Sequence, residues 1–146
     1  MRTMPTTARI LASIVCVAAI IATLIPWYAD HLMNVALKRA EMGWQAEALH
    51  AAQQSVNYNP LSINSRFVLA GAQQRLGRTR EAKETVANAT AMQPDNYIAW
   101  EQLAIYERDK WGEPDLAREH FAKAVSLNPH DQRLRVQAGL PEENSD

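Results

Sequence analysis

The chain has 146 residues, 47% of them hydrophobic and 21% charged, the size and balance of one ordinary domain rather than a collagen, a rod or a disordered tail. Aromatics are only 7% with five glycines, which argues against a turn-rich β-sandwich. Fifteen Lys+Arg against sixteen Asp+Glu leave a net charge of −1, without the basic face that nucleic acid needs, and the single Cys16 excludes an internal disulfide or a multi-cysteine metal site.

Residues 1–9 form a short head with Arg2 and Arg9 and no acid. From Ile10 to Ala29 no side chain is charged, and as a helix this stretch would span about 30 Å, the thickness of a bilayer's hydrocarbon core. A transmembrane helix over 10–29 is expected, with Arg9, Trp27 and Tyr28 as its membrane-interface anchors and Pro26 in its last turn. Cys16 is a small apolar residue of that span. The alternative is a cleavable signal, giving a secreted soluble protein. A cut after Ala29 would need a small residue where Trp27 stands, and a lipoprotein cut before Cys16 would need one at Val15. The arginines of the head lie closer to the span than Lys38 and Arg39 beyond it. This orients the chain as a single-pass inner-membrane protein with a cytoplasmic N-terminus and the rest on the extracytoplasmic side.

Residues 30–131 repeat themselves. Gly43, Gly77 and Gly112 lie 34 and 35 apart; so do Ala48, Ala82, Ala117 and Pro60, Pro94, Pro129. Val35, Leu69 and Leu103 lie 34 and 34 apart, as do Ala36, Ala70 and Ala104, so one extra residue falls in IYERDKW of the third unit. Each unit (about 29–62, 63–96 and 97–131) reads as two helices with a glycine break between them. On the second helices Ala48, Ala52, Ser55, then Ala82, Val86, Ala89, then Ala117, Phe121, Ala124 share one face at intervals of three and four. Asn59-Pro60, Gln93-Pro94 and Asn128-Pro129 end those helices, because the residue before proline is pushed out of the α region. Asp95 is the expected N-cap of the helix that follows.

A 34-residue helix–turn–helix with apolar-Ala, Gly, Ala and Pro at these columns resembles the tetratricopeptide repeat (TPR), over about 70% of the chain. Trp100 stands where that family often has tryptophan; Arg39, Gln73 and Glu107 replace its usual tyrosine. The fold class is thus all-α: one N-terminal transmembrane helix, a three-repeat TPR-like solenoid, and a short capping helix over 132–139, where Leu134 and Ala138 face inward and Gly139 and Pro141 stop the helix. Residues 140–146 form an acidic tail expected to be disordered.

No catalytic, cofactor or metal residues are expected. His31, His50, His120 and His130 lie in different elements as ordinary surface residues, no pair with the i, i+4 spacing of a helical metal site. Glu107 and Lys110 read as a surface pair, and the sequon Asn88-Ala89-Thr90 falls mid-helix. What remains is binding. In the family the first helix of each repeat lines a concave groove, and the matching residues are Met33, Leu37, Phe67, Gly71, Gln74, Arg75, Ile98, Glu101, Ile105 and Arg108. Met33, Leu37, Phe67 and Ile105 would make an apolar inner half, with Arg75, Glu101 and Arg108 around it. The alternative is that Met33, Leu37 and Ile105 only pack between helices. One subclass grips a C-terminal carboxylate with Lys and Asn where Met33 and Leu37 stand, which disfavours that mode here.

The span ends near Tyr28 and the repeats begin by Ala29–Asp30, leaving no linker, so the solenoid should sit directly on the membrane. The resemblance implies a non-catalytic scaffold or accessory subunit that binds a membrane or membrane-adjacent protein partner. A second resemblance, in the run NP-L-S, LA, G, A, QP-x-N, W-x-x-L and LNP after a span, is to the tail of O-antigen-ligase-like polysaccharide proteins. It implies a detached module or partner of cell-envelope polysaccharide machinery.

Overall fold

The computed structural model describes residues 6–141; the head before Thr6 and the tail after Pro141 lie outside the described residues, as does the side chain of Arg9. The described elements are helical throughout: α1 (Thr6–Glu41), α2 (Gln45–Tyr58), α3 (Ile63–Arg75), α4 (Thr79–Met92), α5 (Tyr97–Tyr106), a π-helical turn (Glu107–Trp111), α6 (Pro114–Leu127) and α7 (Gln132–Gln137).

α1 is a single uninterrupted helix of 36 residues. From Ile10 through Tyr28 it is exposed on every side, a rod of Ile, Leu, Val and Ala that is long and apolar enough to cross a membrane. Ala29 is its first buried residue, and Leu32 and Ala36 then pack into the solenoid. Pro26 is therefore not in a last turn. It lies in the helix interior, where its missing N–H leaves the Ala22 carbonyl without the usual i+4 donor. The junction is fixed beyond it. Ser55 Oγ donates to the Ala29 carbonyl at 2.8 Å, and the Ser55, Ser65 and Ser62 hydroxyls follow one another at hydrogen-bond distances of 2.8 and 3.0 Å. Three buried or part-buried hydroxyls thus tie α1, α2 and α3 together without leaving a polar group unsatisfied.

Three apolar clusters follow one another along the stack. Ala36, Ala51, Ala52, Val56 and Leu69 fill the first. Ile63, Phe67, Ala70, Ala82, Val86, Ala89, Ala99 and Leu103 fill the second. Ala104, Ala117, Phe121, Ala124, Val125, Leu134 and Ala138 fill the third, which α7 closes. Every second-helix residue expected on the inner face is buried, and the alanines at the crossings let the backbones approach.

The turns follow local chemistry. Gly43, Gly77 and Gly112 adopt φ of +83°, +74° and +67°, a left-handed conformation that glycine enters without a Cβ penalty. Asn59, Gln93 and Asn128 are the C-caps immediately before the prolines. The N-cap of α5 is Asn96, whose side chain accepts from the Ile98 N–H at 3.0 Å; Asp95 lies one residue too early for that role. Asp131 caps α7 by accepting from Leu134 N–H at 3.2 Å.

The extra residue of the third unit is absorbed in the π turn. An added residue inside a helix widens one turn to i→i+5 bonding rather than shifting everything after it. The α5 ladder relaxes into that turn at Glu107, and the Glu113 N–H returns to the Glu107 carbonyl at 2.8 Å.

Candidate binding groove

The first helices of the three units, α1, α3 and α5, stand side by side and enclose a cleft of about 270 Å³. Its floor is Ala36, Ala40, Phe67, Val68 and Ala72; Leu37, Gly71 and Arg75 line one side, Gln102 and Tyr106 the other. Leu37 is 45% exposed and offers its side chain to the opening, whereas Phe67 is buried and serves as floor. Arg75 bridges the rim by donating from Nη1 to the Ala40 carbonyl at 3.0 Å. That carbonyl is among the last of α1, where helix C-termini leave acceptors open and favour a cation. An adjoining recess is lined by Gly71, Gln74, Arg75, Tyr106 and Lys110. Gln74 Oε1 there accepts from Trp111 Nε1 at 3.2 Å.

Tyr106 organises the far wall. Its hydroxyl donates to the Phe67 carbonyl at 3.0 Å, and burial pushes its phenol up to about 12, so it stays a donor over the physiological range. It fits because Gly71 has no side chain: a Cβ there would stand 3.2 Å from the Tyr106 oxygen.

Of the ten residues expected to line the groove, Leu37, Phe67, Gly71 and Arg75 meet in the main cleft and Gln74 in its extension. Met33 and Ile98 lie outside both, Met33 half-buried and Ile98 exposed at the start of α5. The other three face away. Glu101 is only 5% exposed and accepts from Arg133 of α7. Ile105 packs on the third cluster, and the Arg108 guanidinium sits 5.3 Å over the Phe121 ring while pairing with Asp109. The capping helix and α6 pack against this side of α5. Gln102 and Tyr106 supply the wall instead.

Glu107 is not a surface residue paired with Lys110. It is buried and hydrogen-bonded to His120 Nδ1 at 2.7 Å, and burial holds its carboxyl above the usual carboxylate value against the lowering effect of His120. His120, expected on the surface, is half-buried and stacks tilted on Trp100 at 5.4 Å. Among the described residues no group of three or more His, Cys, Asp or Glu is placed to hold a metal ion.

No protein-family model and no curated protein matches the chain. Solved structures do. MamA matches with a TM-score of 0.58 at 21% identity, over 76% of this chain and 64% of MamA. YrrB, described as a TPR protein with an unusual peptide-binding site, matches at 0.59 and 22%, over 76% of this chain and 56% of YrrB. The Sgt2 TPR domain from Aspergillus fumigatus matches at 0.62 and 16%, over 82% and 89%.

The fold is that of a TPR solenoid. At these identities the likeness concerns the backbone: stacked helix pairs presenting their first helices to one concave side. This chain spans less than two thirds of MamA and of YrrB. In this TPR fold the groove wall of the first unit is the continuation of the exposed apolar helix.

Proposed function

We propose that this chain is a non-catalytic, membrane-anchored TPR scaffold that holds a protein partner in the α1–α3–α5 groove at the membrane surface. The observation that carries the reading is the continuity of α1: one helix is an apolar rod through Tyr28 and a groove wall at Ala36, Leu37 and Ala40. An anchor without a linker restricts the partner to the bilayer or the layer just above it. The apolar floor with Arg75 on its rim suits an amphipathic helix or an extended segment, read through a few apolar anchors. Met33 and Leu37 offer no charge for a C-terminal carboxylate. The head arginines support a cytoplasmic N-terminus, with the repeats on the opposite side.

Site-specific photo-crosslinking in intact membranes tests this. The probe replaces Leu37, which is exposed in the groove, and the control replaces Lys123, exposed on α6. One discrete adduct at Leu37 and none at Lys123 is expected, with mass spectrometry identifying the partner. Equal adducts at both positions, or none at Leu37, would overturn groove binding. An adduct with a polytopic glycosyltransferase would assign the chain to polysaccharide machinery.

A further inference from the structure

The three turns that join each second helix to the next first helix lie at the same end of the solenoid, the end from which the apolar part of α1 emerges. At the column after the shared proline, the second and third turns carry Asp95 and His130, whereas the first carries Leu61, which is 72% exposed. Two residues before the proline the first turn carries Tyr58, also half exposed. Its ring meets Tyr28 edge-on at 5.0 Å, and Tyr28 and Trp27 both stack on His31. The depth of the turn relative to α1 is fixed by hydrogen bonds. Ser62 N–H donates to the Asn59 carbonyl at 3.1 Å, and the chain Ser62–Ser65–Ser55 ends on the Ala29 carbonyl. Gln93 Nε2 and Arg66 Nη2 hold the Leu61 and Pro60 carbonyls at 3.3 and 2.9 Å. The Asn59, Pro60 and Leu61 carbonyls are thus satisfied, and the turn's one large apolar side chain is left pointing outward at the level where the apolar rod ends.

On this basis, and resting on the membrane anchoring proposed above, we infer that the Tyr58–Ser62 turn is a second membrane contact: Leu61 inserts into the headgroup–acyl boundary beside Trp27, Tyr28 and Tyr58. An amphipathic tyrosine and tryptophan sit favourably at that boundary, and an exposed leucine gains by leaving water there. Two attachment points, helix and turn, fix the solenoid against rotation about α1. The second and third turns, with Asp95 and His130, stay in the aqueous layer.

Cysteine scanning in vesicles of phosphatidylcholine and phosphatidylglycerol tests the contact. With Cys16→Ala as background, an environment-sensitive fluorophore is placed singly by Leu61→Cys, Ile20→Cys and Leu116→Cys, the last exposed at the opposite end of the solenoid. Lipids bearing a nitroxide on the headgroup or deep in the acyl chain act as quenchers. The expected result is a blue shift and loss of most fluorescence at position 61 with headgroup nitroxide, loss at position 20 with deep nitroxide, and no change at position 116. Quenching at 20 without quenching at 61 would overturn the second contact while leaving the anchor intact. No quenching at either would overturn the anchor and the contact with it. Equal quenching at 61 and 116 would mean the solenoid lies flat on the lipid, which also overturns the inference.

Discussion

The hydroxyl of Tyr106 lies 3.2 Å from where a Cβ on Gly71 would stand, close enough for an added methyl to crowd it, while donating to the Phe67 carbonyl. The far wall of the groove therefore depends on a missing methyl group on α3. Replacing Gly71 by alanine in a helix interior gains up to about 1 kcal/mol from propensity, but here it pushes Tyr106 off a hydrogen bond worth about 0.5–1.5 kcal/mol. Gly71→Ala alone should leave stability nearly unchanged and weaken partner crosslinking at Leu37. In a Tyr106→Phe background the same substitution should stabilise by up to about 1 kcal/mol. A double-mutant cycle by denaturant unfolding measures the coupling; additive effects would show that the two residues do not compete.

Ser55 carries the junction between the apolar rod and the solenoid. Ser55→Ala removes the donor to the Ala29 carbonyl and one partner of the buried Ser65 hydroxyl, and should cost about 1–3 kcal/mol. Chemical denaturation in detergent checks this. An effect within a few tenths of a kcal/mol would mean that other bonds hold the junction.

Glu107 makes stability fall with pH. Its folded-state value is raised, chiefly by burial, so the native state holds the proton more tightly than the unfolded chain. The contribution is fully present below the ordinary carboxylate range and is lost as pH rises through the raised value. Glu107→Gln keeps a hydrogen-bonding group toward His120 and removes the titration. Thermal melts across mildly acidic to neutral pH should show the variant gaining on the parent as pH rises; parallel curves would contradict the assignment.

The π turn should tolerate loss of its extra residue. Deleting Asp109, exposed and paired with its neighbour Arg108, restores a spacing of 34 in the third unit and should leave a cooperative thermal transition. Deleting Lys123 shifts Ala124 and Val125 off the buried face of α6 and should abolish it. Circular dichroism melts of the two deletions distinguish these outcomes.

The repeat was legible because its determinants are local: glycine where φ is positive, proline after a C-cap, alanine where helices cross. The position of the extra residue was legible as well, between Ala104 and Gly112, but not its π geometry. The site was read less well where sequence register and spatial neighbours part. Glu101, Ile105 and Arg108 occupy the same columns as Phe67, Gly71 and Gln74, yet Glu101 meets Arg133 of α7, Ile105 packs on the third cluster and Arg108 lies over Phe121 of α6, and nothing in a 34-residue period reports what the last repeat packs against. Tyr106 and Gln102 were missed for the same reason, since they lie on the side of α5 turned toward α3. The one available signal was the atypical third unit itself, followed by Arg133 within reach of an acidic partner. Burial of Glu107 left no trace in hydrophobic periodicity, because a charged residue there reads as solvent-facing. Asn96 displaced Asp95 as a cap by one residue, a shift that composition alone does not resolve.

α1 joins the apolar rod to the groove wall as one helix running through Pro26. Spin labels placed by Ile20→Cys and Leu37→Cys, with Cys16→Ala, measure this in lipid nanodiscs by pulsed electron resonance. Seventeen residues of unbroken helix at about 1.5 Å each separate the two backbone positions by about 26 Å. A single narrow distribution near that separation, allowing for the label arms, is the predicted result. A broad distribution, or a population with the two labels much closer, would show a hinge between rod and solenoid and would contradict the claim that the anchor positions the groove.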